Sequence, residues 1–318
     1  MKTEEDVTRV REGAAWIRLD RLSLIRVSGP NRTKFLHNLL SNDIAGLAPG
    51  QSRLAALMNL KGQQVAWMRV LAEADALICE LPVAVRDTVV DTFVHYKVGA
   101  PVRFEKPEAT VFGLFGDKAV ETLSALGVDA PPPSIDTFSS AAAIAGTLRI
   151  SRGRDLPASG FTIHADATAT APLEEKLRSL LGEPVNNATL ETLRVEEGIP
   201  WHGIDVREEN LLHETGQLAI YHSPSKGCYL GQEVVARLEG RGGNVNKRLV
   251  GLKAAAPLPA DHDIVAEEKV VGRVTSVGIS PEFGAIAMAY VHRSHADPGQ
   301  HVRIGEIEAE ITILPFRS

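Results

Sequence analysis

Cysteine is nearly absent: the 318-residue chain has two, Cys79 and Cys228, far apart and in different surroundings. Two thiols without a pattern exclude a disulfide framework and suit a reducing compartment. A metal site is poorly supplied too. His213 and His222 are the nearest histidines upstream of Cys228, with no second cysteine and no tight ligand spacing. An excess of basic charge is also missing, since 34 Lys and Arg face 40 Asp and Glu, for a net charge of −6. That argues against sequence-independent nucleic-acid binding over a broad basic face and leaves room only for a local patch. No apolar run is long enough to span a bilayer. The opening stretch MKTEEDVTRVREGAAWIRLD is acidic and lacks the apolar core of a secretory signal. The expectation is a soluble, cytoplasmic protein.

What is present is ordinary globular composition, 44% hydrophobic and 23% charged, in a chain long enough for two or three compact domains. RLSLIRVSG reads as a strand ending at a Ser-Gly-Pro break, and NRTKFLHNLLSND as a helix with Asn31 placed to cap it. RLAALMNLKGQQVAWMRVLAE reads as two strands joined by a turn at Lys61-Gly62. ALICELP is another strand, which makes Cys79 a small core side chain. A helix at AVRDTVVDTFVHYKV, strands at VRFEK and ATVFGLFG, and a helix at DKAVETLSALG follow. The proline-rich DAPPPSIDTFSS is the best linker candidate. Further strands and helices lead to Lys247, after which short strands alternate with Gly, Pro and Asp turns, as in a small antiparallel barrel.

The chemistry concentrates in KGCYLGQEVVAR, Lys226 to Arg237. Gly227 and Gly231 bracket Cys228 and mark irregular backbone, and QEVVARLEG continues as a helix. A cysteine just ahead of a helix N-terminus lies near the positive end of its dipole. If the segment is extended, residues two apart point the same way, which sets the Lys226 ammonium beside the sulfur. Both effects favour thiolate; Glu233 opposes them. Residue types alone leave four readings open for Cys228: nucleophile, metal ligand, redox switch, or packing under a glycine-rich turn.

KGCYLGQEVVAR followed by RGGNVNKRLVGL resembles the signature of the folate-binding YgfZ proteins, relatives of the aminomethyltransferase (T-protein) of the glycine cleavage system. VSGPNRTKFLHNLLSNDIAGL is similar to the family's opening block, with Ser41 where threonine is usual. LRVEEGIPWHGID matches an LRxExGxxxxGxD element shared with aminomethyltransferases, and GRVTSVGISPEFGAIAMAYV resembles their barrel signature.

The resemblance implies an α+β fold of two interleaved ferredoxin-like lobes (residues 1–245) enclosing a folate channel, plus a C-terminal antiparallel β-barrel (residues 246–318). It implies tetrahydrofolate or another reduced folate as cofactor. Glu196 becomes the candidate to pair with the pterin edge, because a carboxylate accepts a ring N–H and an exocyclic amine together. Arg237 and Lys226 suit the anionic benzoyl-glutamate tail. Arg194 fits a structural ion pair as well. Asn42 is a cofactor-side candidate whose competing role is to cap local backbone. Cys228 and Lys226 are the candidate catalytic groups within the motif Lys226, Gly227, Cys228, Tyr229, Gly231, Gln232 and Glu233.

The implied role is assistance in assembly or repair of iron–sulfur proteins, with those proteins as partners and an indirect link to tRNA modification. Folate-dependent aminomethyl or one-carbon transfer is the alternative. Against the alternative, LKGQQVAWMRV has no carboxylate where the T-proteins carry an aspartate, and glutamine cannot replace it in proton transfer near neutral pH.

Overall fold

The computed structural model describes residues 2–144 and 146–317. Helix α1 (Lys2–Glu12) leads into β1 (Ala15–Arg18) and β2 (Leu22–Ser28), followed by α2 (Arg32–Leu39), β3 (Ser52–Met58), β4 (Gln64–Ala72) and β5 (Ala76–Pro82). Helix α3 (Arg86–Tyr96) and β6 (Arg103–Glu105) complete the first lobe. The second contains β7 (Ala109–Phe115), α4 (Ala119–Ala125), β8 (Thr137–Ala143), β9 (Gly146–Arg152), β10 (Phe161–Asp166) and α5 (Ala167–Leu181). Then come α6 (Asn187–Glu196), the short α7 (Leu218–Tyr221) and α8 (Gln232–Glu239). The last unit is β11 (Lys247–Ala254), β12 (Asp263–Ala266), β13 (Lys269–Ser280), β14 (Gly284–His292), β15 (His301–Ile304) and β16 (Ile307–Thr312).

Two five-stranded sheets, ordered β3-β4-β5-β2-β6 and β1-β7-β10-β9-β8, form two ferredoxin-like lobes, and β11 to β16 close into a barrel. β1 precedes the whole first lobe yet pairs with β7 of the second, so the chain crosses between lobes. The edges also meet: Ser52 N donates to Asp136 O at 2.8 Å and Phe138 N to Gly50 O at 2.9 Å.

β4 shows why a clean alternation is missing from the sequence. Ala66, Met68 and Val70 pack on the helices of their own lobe, whereas Leu71 joins the core between lobes and Trp67 a third cluster. A strand covered on both faces has no polar side to advertise. Cys79 is fully buried in the first lobe, where burial pushes its thiol up to about 12.

Two local expectations change. Asn31 makes no side-chain capping bond to α2. The proline-rich 131–133 stretch runs from α4 to β8 inside the second lobe, because β8 must return to the edge of its own sheet, and so it divides no domains.

The barrel is fastened to α6 by a buried charge network. Arg194, fully buried, donates through Nη1 to Asp205 Oδ2 at 2.7 Å and through Nη2 to Ser276 Oγ at 2.6 Å. Asp205 Oδ1 accepts from Thr275 and Ser276 of β13, both at 2.6 Å. Arg194 is thus the structural ion pair allowed by the sequence. Val195 packs beside it on Ile286 and Met288 of β14. Asp205→Ala leaves the buried Arg194 guanidinium with Glu191 as its remaining carboxylate partner and should cost about 3 kcal/mol of stability. Urea denaturation checks this, and a loss under about 1 kcal/mol would show that Glu191 alone balances Arg194.

Candidate functional site

Residues 222–231 run as irregular chain from α7 to α8, and this decides the fate of Lys226. Its Nζ donates to the carbonyls of His37 and Leu40 at the C-terminal end of α2. Helix ends leave carbonyls without partners and carry negative partial charge, so a cation is stabilised there. Burial nonetheless lowers the ammonium to about 8, and it lies 4.8 Å from the Tyr229 ring centroid. The expected pairing of Lys226 with the Cys228 sulfur is therefore not what the structure shows. The segment is a loop without strand alternation, and the ammonium turns inward while Cys228 is exposed.

The rest of the motif is largely a packing device. Gly231 has φ +81°, and a Cβ there would stand 2.5 Å from Asn59 O; one on Gly62 would meet Val234 at 2.7 Å. The Lys61-Gly62 turn and the start of α8 thus fit together through two glycines. Gln232 Oε1 accepts from Tyr229 N at 3.0 Å, and Tyr229 is buried. Gly227, Glu233 and Arg237 are exposed.

Glu196 is 2% exposed, with Oε2 accepting from Arg11 Nη2 at 2.5 Å and Oε1 buried without a partner. Its carbonyl accepts from Phe316 N at 2.8 Å. It ties α1 and the C-terminal tail to α6 and lines none of the clefts described below, contrary to the expectation of a pterin contact. The next residue does face a cleft, because the chain leaves the helix there. Glu197 is half-buried, Oε1 accepts from Ala158 N at 2.7 Å, and burial raises its carboxyl. Asn42 is likewise committed to backbone. Its Nδ2 donates to Leu54 O and Ile220 O, both at 2.9 Å, and Oδ1 accepts from Asp43 N. The residue nonetheless lines the cleft of about 440 Å³ described below.

The open space lies where the three units meet. A cleft of about 480 Å³ has walls from the second lobe (Arg154), the end of α6 (Glu197) and the barrel (Arg248, Leu249). A neighbouring one of about 440 Å³ adds Arg53 and Asp136, and the two share Arg154 and Ile220. Arg154 Nε stands 3.5 Å from Asp136 Oδ2. Arg53 and Arg248 make no hydrogen bond or ion pair among the described residues. The sequence reading missed all three arginines, since each comes from a different element and no local motif joins them.

Between the lobes is a smaller pocket of about 50 Å³. Trp67 fills its β4 wall, stacked on Tyr221 with centroids 3.9 Å apart and donating to Gln64 Oε1 at 2.8 Å. Arg69, fully buried, pairs with Asp155 and lies 3.5 Å from Glu80, which meets His164 Nε2 at 2.5 Å. Burial would raise Glu80, but the hydrogen bond and charge of His164, with Arg69, hold it well below the usual carboxylate range. The guanidinium of Arg21 lies 4.0 Å over Trp201. The charges here are paired, although Arg69 Nε and Nη1 and His164 Nδ1 are buried without a hydrogen-bond partner among the described residues. His202 is less satisfied still: 7% exposed, beside the Gln64 main chain, with neither ring nitrogen in a hydrogen bond of normal geometry.

Among the described residues no group of three or more His, Cys, Asp or Glu is arranged to hold a metal, and no helix is long and apolar enough to cross a membrane.

Comparison with known proteins gives two family matches. Residues 1–221 match the GCVT N-terminal domain, and residues 247–316 the glycine cleavage T-protein C-terminal barrel domain. A "Probable aminomethyltransferase" of Natronomonas pharaonis is 30% identical over 99% of this chain and 90% of that protein. An "Aminomethyltransferase" of Synechocystis sp. is 26% identical over 93% of this chain and 82% of its own length. Among solved structures, the glycine cleavage system aminomethyltransferase T from Bartonella henselae superposes with a TM-score of 0.89. At 22% identity, covering 99% of this chain and 89% of that one, it shows a shared fold.

His202 sets a pH dependence. Burial lowers its pKa from 6.5 to about 4, so on acidification the unfolded chain takes up the proton first. Stability present above pH 6.5 should fall as the pH drops toward 4, by up to about 3 kcal/mol. In His202→Gln, urea denaturation across this window should show a flatter pH dependence; an unchanged one would clear His202 of the effect.

Proposed function

We propose, on the premise that this chain belongs to the glycine cleavage T-protein family, that it binds a reduced folate in the cleft shared by its three units and acts on a one-carbon group of the aminomethyl class. The observation that carries this is a pair of arginines whose side chains have no partner among the described residues, Arg53 and Arg248, each lining one of two adjoining clefts that share Arg154. Guanidinium groups suit the two carboxylates of a benzoyl-glutamate tail. Glu197 offers a carboxylate oxygen to the N–H edge of a pterin in place of Glu196. The volumes, about 480 and 440 Å³, are in the range of small-molecule sites. In this reading residues 1–245 form the folate-binding region and 246–318 the barrel that closes it. A bound folate would supply the nitrogen that carries the one-carbon group. The chain's part is to hold the tail, orient the ring and keep water from the reacting end. The relatives named aminomethyltransferases support this choice.

A second reading is favoured by one observation. From β4 the inter-lobe pocket is faced by Trp67 and Arg69 and no carboxylate, whereas the thiol of Cys228 stands exposed. It is the YgfZ-like role: a folate-binding factor that assists assembly or repair of iron–sulfur proteins, with Cys228 as working thiol and tRNA modification supported indirectly. Arg237, exposed on α8 beside the motif, then belongs to the surface offered to client proteins.

Arg248→Ala should weaken tetrahydrofolate binding about tenfold by calorimetry, the loss of one charged hydrogen bond. Unchanged affinity would remove the ligand from this cleft. Cys228→Ala separates the two readings. Full aminomethyl transfer by purified wild type and variant alike supports transfer without the thiol. No transfer by wild type, with iron–sulfur enzyme activity in cells lost in the folded variant, supports the second reading.

A further inference from the structure

Another opening, about 870 Å³, lies on the flank of the barrel, between the chain leading from Asp205 to Glu214 and strands β11, β13 and β14. Neither sheet lobe contributes to its walls, and the folate reading does not use it.

Its floor contains an unexplained polar group. Tyr290 of β14 is 6% exposed, and its hydroxyl is buried with no hydrogen-bond partner. Such a group is costly, and a phenylalanine would pack as well without it. Beside Tyr290, Glu214 is also 6% exposed and bonds Leu211 N at 3.0 Å through Oε2. Lys247 Nζ lies 3.7 Å from that same oxygen and 5.3 Å from the Tyr290 ring centroid.

Most of the charges around the cleft are already matched. Asp205 is saturated by Arg194, Thr275, Ser276 and the Trp201 N–H. Glu214 shares its charge with Lys247, and at the outer rim Arg207 and Arg273 cover Asp261. Glu209 and Lys269 line the cleft without a hydrogen bond or ion pair among the described residues, so their charges offset, and Tyr290 and Glu214 are the acceptors left to a ligand. Burial and the charges of Asp205, Glu214 and Glu209 all push the Tyr290 phenol well up, so it stays a neutral hydroxyl with a free lone pair. Val270, 65% exposed, and Val271 give the cleft an apolar side.

We propose that this cleft binds a small organic ammonium ion, its N–H groups reaching the Tyr290 oxygen and the Glu214 carboxylate and its carbon chain lying on Val270 and Val271. An ammonium supplies donors to both acceptors. A carboxylate in the same place meets Glu214 as a like charge.

Calorimetric titration of the full chain with n-butylammonium chloride, and separately with sodium butyrate, tests this. Saturable binding of the ammonium is expected, with butyrate at least about tenfold weaker. Tyr290→Phe and Glu214→Gln should each weaken the ammonium about tenfold, and Lys247→Met, which removes a competing cation, should tighten it. Tyr290→Phe serves a second purpose, since it deletes the orphan hydroxyl and should keep or raise the melting temperature. Its folded state is therefore not in question when binding is lost. Absence of saturable ammonium binding to the wild type, equal affinity in Tyr290→Phe, or tighter butyrate than butylammonium would each overturn the proposal.

Discussion

The buried pair of Arg194 and Asp205 is the constraint on which the arrangement of the molecule depends. One guanidinium at the end of α6 and one carboxylate eleven residues later satisfy each other, while hydroxyls of β13 and the Trp201 N–H complete the aspartate. A buried ion pair contributes little net stability over an apolar contact of the same shape, but it tolerates no change of register, because a displaced partner leaves an unpaired charge. Its directionality therefore sets where the barrel sits against α6, and with it where the clefts walled by the barrel open.

Charge is handled differently in two of the openings. Between the lobes, Arg69, Glu80, Asp155 and His164 are mutually matched, and Trp67 stacked on Tyr221 occupies the volume that a ligand would need. The pocket is a polar core with little room left in it. Along the two clefts that share Arg154 the opposite holds: the side chains of Arg53 and Arg248 have no protein partner among the described residues. Uncommitted cations lining adjoining clefts are the arrangement expected of a receptor for an anion, because the protein spends none of their charge internally.

The motif that stands out most in the sequence, KGCYLGQE, divides on inspection. Gly231 and Gln232 hold α8 against the Lys61-Gly62 turn, and Lys226 caps α2, so most of the signature maintains backbone geometry. That geometry leaves the Cys228 thiol exposed. The residue types predicted a reactive environment from spacing, but spacing has that meaning only in a regular strand. Glu196 fails for a related reason: helix phase turned it to Arg11 and the C-terminal tail and left Glu197 at the cleft.

The succession of strands and helices, the all-β tail and the buried Cys79 were legible in the sequence, because each depends on local periodicity. The crossing of β1 into the second sheet, the inward turn of Lys226 and the meeting of Arg53, Arg154 and Arg248 were not. They join residues separated by tens to hundreds of positions, and no local pattern carries the direction of a side chain across such a distance. Sequence by itself determined which elements form and which family supplies their order. Tertiary packing decided which charges are consumed and which remain free, since that depends on the partner each group meets after the units have closed on one another.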